Sequence, residues 1–242
     1  MKIGAVMFLD LLGFKGIWQS RPEREIVDLL IQVPEIVAGR FVSPNGTWPK
    51  IEPPVATILS DTIVITIECE EPHALLLMGQ IAVALFHHFA HKRIFLRGAL
   101  SFGQYYQEGP IFLGPAIDDV ANWYEKADWI GVITTPRTNY IVDCFGHTHI
   151  GVGTFAIPQF IRYPVPMKSG PPISLNAFNW PIIYQEMRTA EQKSIARRFR
   201  SLFADQENFD ERVMKKYENT LSFIDFSVNS YDPNTPHPSR TT

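Results

Sequence analysis

FLDLLGFKG, residues 8–16, decides how this chain is read. It closes an apolar run over residues 2–9 with the length and bulk of a buried strand. Asp10 stands at the end of that strand, and Gly13 makes the turn after it. A carboxylate in such a place is costly unless it is paired with or bound to a cation. A glycine-containing turn can aim backbone N–H groups at an anion. Together these parts can hold a metal and a phosphate. Taken alone, Asp10 reads more simply as the N-cap of a following helix.

Working outward, apolar residues at i, i+3 and i+4 spacing predict a helix over Glu23–Ala38, with Pro34 inside it as a kink or an early end. Residues 41–54 are rich in Pro, Asn, Ser and Gly and read as a loop. VATILS (55–60) and TIVITIE (62–68) are β-rich runs on either side of Asp61, which places Asp61 in or beside a hairpin turn. A helix over 71–91, a strand over 94–102, a sharp turn across 103–115, a helix over 116–127 and a strand over 129–134 follow. This order predicts a mixed sheet with helices on one face, an α/β (α+β) fold related to the ferredoxin-like arrangement. After Thr135 the pattern weakens. Residues 157–183 hold many prolines and one more strand, and 186–204 and 207–225 look helical. The expected organisation is a core over 1–135, a C-terminal part of the same domain with a helical extension over 136–230, and a disordered tail over 231–242.

Composition narrows the class. With 45% hydrophobic and 19% charged residues the chain is an ordinary globular one. A net charge of −3 gives no polyanion-binding surface, so nucleic acid is not an expected partner. No apolar run is long enough to span a bilayer, and Asp10 interrupts the N-terminal one, so no membrane partner or signal peptide is expected. Cys69 and Cys144 lie far apart with no metal-ligand spacing. That fits a reducing, cytoplasmic compartment.

Three features carry chemistry. Asp10 is the first. Asp61, in ILSDTIVIT (58–66), is the second. Two carboxylates on adjacent strands can hold two divalent cations about 4 Å apart, the spacing used in two-metal phosphoryl and nucleotidyl transfer. The third is Arg97 in FLRGALSFG (95–103), a strand arginine with apolar neighbours. It needs a carboxylate, a phosphate or a base edge, and a structural ion pair is the plain alternative. His87 and His91 have the i, i+4 spacing of a zinc-binding pair, but no third ligand is evident, and a solvated helix surface is the plainer reading. Tyr105, Tyr106, Trp123, Tyr124 and Trp129 read as core or interface. Lys15 reads as a solvated lysine beside the phosphate turn.

These features, in this order, resemble the class III adenylyl and guanylyl cyclase catalytic domain over about residues 3–134. Phe8 to Phe14 match its F-x-D-[IL]-x-G-F strand, and Asp61 matches the metal-binding Asp of the next hairpin. Residues 96–103 match its LRVGIHSG-like strand, with Arg97 and Gly103 on the family's arginine and final glycine. Gly114-Pro-Ala-Ile resembles its G-x-x-V-N. The resemblance implies that Asp10 and Asp61 are the catalytic and metal-binding residues, holding two Mg²⁺ or Mn²⁺ ions. It implies that the backbone of Leu11, Leu12, Gly13 and Phe14 cradles the β- and γ-phosphates. One metal would activate the ribose 3′-hydroxyl for attack on the α-phosphate, giving a cyclic nucleotide and pyrophosphate. It also implies a homodimer with its active site between subunits.

The departures are specific. Where the purine cyclases carry a base-reading lysine, this chain has Thr57. Where they carry a base-reading Asp or Cys, it has Ile111. Their transition-state Asn and Arg fall at Asp118 and Asn122. The pattern is similar to the stand-alone pyrimidine cyclases of bacterial Pycsar antiphage systems, which make cyclic UMP or cyclic CMP for a separately encoded effector. Thr57, Ile111 and Arg97 are then the base-pocket candidates, with Arg97 able to donate to the pyrimidine O2 carbonyl. A catalytically degenerate nucleotide-binding domain and a purine cyclase remain as alternatives. A diguanylate cyclase is disfavoured because G-G-[DE]-E-F is absent.

Overall fold

The computed structural model describes residues 1–14, 17–41, 51–145, 149–152, 155–182, 195–204 and 210–230. Lys15, most of the 41–54 loop, the first part of the helix expected from 186 and the tail over 231–242 lie outside the described residues. β1 (Lys2–Leu12) is followed by a short helix α1 (Ile17–Ser20) and by α2 (Glu23–Phe41), which runs through Pro34. β2 (Val55–Leu59) and β3 (Thr62–Glu68) form a hairpin, and α3 (Ala74–Ala90) leads to β4 (Phe95–Glu108). β5 (Ile111–Leu113), α4 (Pro115–Trp123), β6 (Gly131–Thr134) and α5 (Pro136–Phe145) follow. β7 (His149–Val152) and β8 (Phe155–Pro158) form a separate ribbon. β9 (Phe160–Val165), β10 (Ile173–Phe178), a 3₁₀ turn (Trp180–Ile182), α6 (Ile195–Ala204) and α7 (Glu211–Asn229) complete the chain.

One mixed sheet runs in the order β2-β3-β1-β4-β6-β10-β9, with β5 paired to β4. Its first four strands pair antiparallel with one another, the βαββαβ arrangement of ferredoxin-like domains. β6 joins β4 in parallel, and β9 and β10 extend the same sheet. The stretch 157–183, expected to hold one strand, holds two, β9 and β10, and α5 carries no strong periodic signal.

Side-chain alternation explains how both faces of β1 are filled. Ala5, Met7, Leu9 and Leu11 are buried on one face, and Val6 and Asp10 on the other. Phe8, on the Asp10 face, meets Tyr124 edge to face at 5.6 Å, which assigns the end of α4 to that side. α3, which also packs on β1, β3 and β4, is left for the opposite face. The helices therefore cover both faces rather than the single face expected from element order. β4 is longer than predicted. It passes Gly103, paired there with Gly4, and turns only at Gly109-Pro110. The tight pairing of β1 with β4 depends on Gly98, where a Cβ would lie 2.2 Å from the Phe8 carbonyl oxygen.

The C-terminal elements extend the core with aromatic residues. Trp129 stacks on Tyr163 at 5.4 Å and meets Phe223 of α7 at 4.5 Å. Phe95 packs against Phe203 and Tyr217, and Tyr217 stacks on Phe203 at 4.0 Å.

Candidate active site

Register builds the site. In the antiparallel ladders Asp10 stands opposite Thr62 of β3 on one side and Arg97 of β4 on the other. Directly opposed residues project to the same face, so Asp10, Thr62 and Arg97 form one row across three strands. Leu59 pairs with Thr62, so the β2–β3 turn has only two residues, Ser60 and Asp61. Ser60 takes φ +57, the left-handed value a tight hairpin asks of its first turn residue. The Leu11 N–H donates to the Asp61 carbonyl at 2.8 Å and ties that turn to the end of β1. Asp10 and Asp61, far apart in sequence, thus meet at one edge of the row.

The electrostatics around Asp10 are strong. Its carboxylate is 8% exposed and is paired with the Arg97 guanidinium, itself 4% exposed. Arg97 Nη1 also donates to the Ala127 carbonyl at 3.3 Å. Burial pushes the Asp10 carboxyl above the usual range. Arg97 pulls it down, and the charges of Asp61 and Glu125 add to the rise. A buried anion crowded by two other carboxylates favours a cation beside it. The Tyr124 phenol is held above its usual value by burial first and then by the charge of Glu125.

The remaining sequence candidates separate clearly. Thr57 is paired with Val64, which pairs with Phe8, so Thr57 lies on the Asp10 face one row along. Ile111 pairs with Glu108 at the tip of the β4–β5 hairpin, eleven strand positions from Arg97. At about 3.3 Å per residue that is up to roughly 36 Å, so this chain does not bring its own Ile111 to Asp10. In the expected phosphate cradle, the Leu11 N–H is spent on Asp61 and the Phe14 N–H on the Leu11 carbonyl at 3.2 Å. Leu12 is paired with Phe95 in the β1–β4 ladder, which leaves Gly13, at φ +81, as the turn amide outside these pairings. Asp118 and Asn122 lie on the exposed side of α4, where Asn122 Nδ2 donates to the Asp118 carbonyl at 2.8 Å. Asp119 faces the sheet instead, accepting from Ser101 Oγ and Thr135 Oγ1.

Sequence reasoning missed Glu125 and Lys216 at this site. Glu125 sits in YEKAD (124–128), a charged stretch directly after a helix, and that composition was the available signal. Lys216 comes from α7 and is close enough to Arg97, Asp128, Lys168 and Asp10 to feel their charges. Its pKa is lowered, first by burial and then by Arg97. No local pattern marks it.

Asp10 and Asp61 offer carboxylate oxygens, hard ligands suited to Mg²⁺ or Mn²⁺ rather than to zinc. Among the described residues no group of three or more His, Cys, Asp or Glu converges on a metal position. Mg²⁺ is commonly held by one or two carboxylates, with water and substrate phosphates completing its shell, so the pair fits that kind of site.

No protein-family model matches the chain, and neither does any curated protein. Among solved structures it is similar to the crystal structure of an adenylate/guanylate cyclase/hydrolase from Silicibacter pomeroyi. That match has 12% sequence identity, covers 73% of this chain and 96% of the other, and has a TM-score of 0.43. Among the described residues, no helix is long and apolar enough to cross a membrane.

Proposed function

We propose that this chain is a nucleotidyl cyclase of the class III type that converts UTP or CTP to the 3′,5′-cyclic nucleotide and pyrophosphate. The observation that carries the reading is the meeting of Asp10 and Asp61 at one end of β1, tied by the Leu11–Asp61 backbone bond. Two divalent ions bound there, Mg²⁺ or Mn²⁺, would supply Lewis-acid activation of the 3′-hydroxyl and neutralise the triphosphate. The chain's own groups have distinct roles. Asp10 and Asp61 hold the ions. Arg97 fixes the Asp10 carboxylate and carries positive charge toward the substrate. The turn at Gly13 offers a backbone amide to the phosphates.

Pyrimidine preference is supported by the side chains that stand in for base readers. Thr57 lies on the site's face, and Ile111 is an aliphatic residue that reaches a site only in a second copy of the chain. Neither rebuilds the hydrogen-bond pair that reads a purine edge. A homodimer is supported by apolar surface at two places: Leu59, two residues before Asp61, is 74% exposed, and Ile111 and Leu113 on the distant β4–β5 hairpin are more than half exposed. In this reading the product serves as a second messenger for a separately encoded effector in antiphage defence.

The test is incubation of the purified chain with all four NTPs at equal concentration and Mn²⁺ or Mg²⁺, with products identified by mass. Cyclic UMP or cyclic CMP is the expected product. Dominant cyclic AMP or cyclic GMP removes the pyrimidine assignment and leaves the cyclase one. A second reading, a catalytically degenerate nucleotide-binding domain, is favoured by one observation: Asp118 and Asn122 replace the family's charge-stabilising pair and point outward on α4. It predicts nucleotide binding with no cyclic product.

A further inference from the structure

The last turn of α3, away from Asp10, carries HHFAH, residues 87–91. His87 and His91 are one helical turn apart. Their Nε2 atoms approach to 3.1 Å, with the rings nearly perpendicular at 81° and centroids 4.4 Å apart. Both line a cavity of about 770 Å³ between α2 and α3, and Glu25 and Asp28 of α2 line the same space. We propose that His87 and His91 form a two-histidine site for a borderline divalent cation such as Zn²⁺, separate from the carboxylate pair.

The geometry favours chelation. Zinc–imidazole bonds are about 2.05 Å, and two such bonds across the 3.1 Å gap close at an angle of about 98°. That angle suits tetrahedral, square-planar or octahedral coordination. The i, i+4 placement on a formed helix makes the second bond intramolecular, so little further ordering is required. Imidazole pairs favour Zn²⁺, Ni²⁺ and Cu²⁺ over Mg²⁺ and Mn²⁺, which keeps this site chemically distinct from Asp10 and Asp61.

The surroundings temper the affinity. His88 is committed elsewhere, its Nε2 donating to the Leu29 carbonyl at 3.1 Å. Arg24, Arg40 and Lys92 line the same cavity and oppose an incoming cation, and Glu25 and Asp28 there are already paired with Arg21 and Arg24. With no three-ligand group among the described residues, water completes the shell and the bound ion stays exchangeable.

Calorimetric titration of the full chain with Zn²⁺ at neutral pH tests this. One site per chain is expected that His87→Ala and His91→Ala each weaken by roughly tenfold or more, reflecting loss of the chelate. His73→Ala at the other end of α3, and Asp10→Asn in the proposed active site, should leave it unchanged. Zn²⁺ should also raise the melting temperature of the wild type and not of the double variant. Should an alanine variant not fold, His91→Gln keeps the polar surface and serves in its place. Zn²⁺ binding that neither histidine substitution weakens, or no binding at all, overturns the proposal.

Discussion

Asp10 and Asp61 have the same proposed role but very different surroundings, and substitution should separate them. Asp10 is buried against Arg97, whereas Asp61 sits half-buried in a two-residue turn. Removing one partner of a buried ion pair leaves the other charge uncompensated, at a cost of about 3–5 kcal/mol. Asp10→Asn should therefore abolish turnover and also destabilise the chain by about that amount. Asp61→Asn should abolish turnover while shifting stability by only about 0.5 kcal/mol. Denaturant unfolding alongside the cyclase assay checks both. An active Asp61→Asn variant ends the assignment. The sequence alone suggests that Asn at either position leaves the fold intact, and the buried pair with Arg97 is the reason the two must differ.

At the scale of elements, the β4–β5 hairpin stands out. Its tip carries Ile111 and Leu113, exposed at 51% and 58%, far from the row that holds Arg97. Exposed aliphatic residues on a projecting hairpin fit a self-association surface. A chain carrying Ile111→Asp and Leu113→Asp should run as a monomer by light scattering. It should keep its melting temperature, because those side chains are not in the core, and lose cyclase activity if the site needs two copies. A wild-type chain that is monomeric and fully active removes the homodimer.

Over the whole molecule, the aromatic packing sets an alkaline limit. Burial pushes the phenols of Tyr105 and Tyr217 up to about 12, with the charge of Glu68 adding to the shift at Tyr105. The sign follows from proton linkage. Below pH 10 folded and unfolded chains both carry neutral phenols, and the full contribution is present. Between pH 10 and 12 the unfolded chain loses these protons while the folded chain keeps them, so stability falls as pH rises. The loss should be on the order of 2 kcal/mol for each phenol. Urea unfolding from pH 9 to 11.5 should show the decline, and Tyr217→Phe should flatten part of it. A stability flat across that range in the wild type would contradict the packing.

What the sequence determined is local. An apolar run with β-branched residues makes β1, i, i+3, i+4 spacing makes α2, and β-rich runs around a short turn make the β2–β3 hairpin with Asp61 at its tip. Those signals lie within a few residues of what they specify, because strand and helix periods are properties of neighbouring side chains. From their order the ferredoxin-like half of the sheet is legible. The tertiary structure alone decided the rest. β4 runs past Gly103 because β1 pairs with it there, residue against residue, so that of the glycines and prolines across 103–115 it is Gly109-Pro110 that turns the chain. Arg97 reads equally as a base reader or an ion-pair partner until strand register sets it opposite Asp10. Ile111 and Asp10 are parted by the length of a strand, and Lys216 joins the surroundings of Asp10 and Arg97 from a helix near the other end of the chain. Charge acts through space, so which carboxylate meets which cation is fixed by register and packing and leaves no local trace in the sequence.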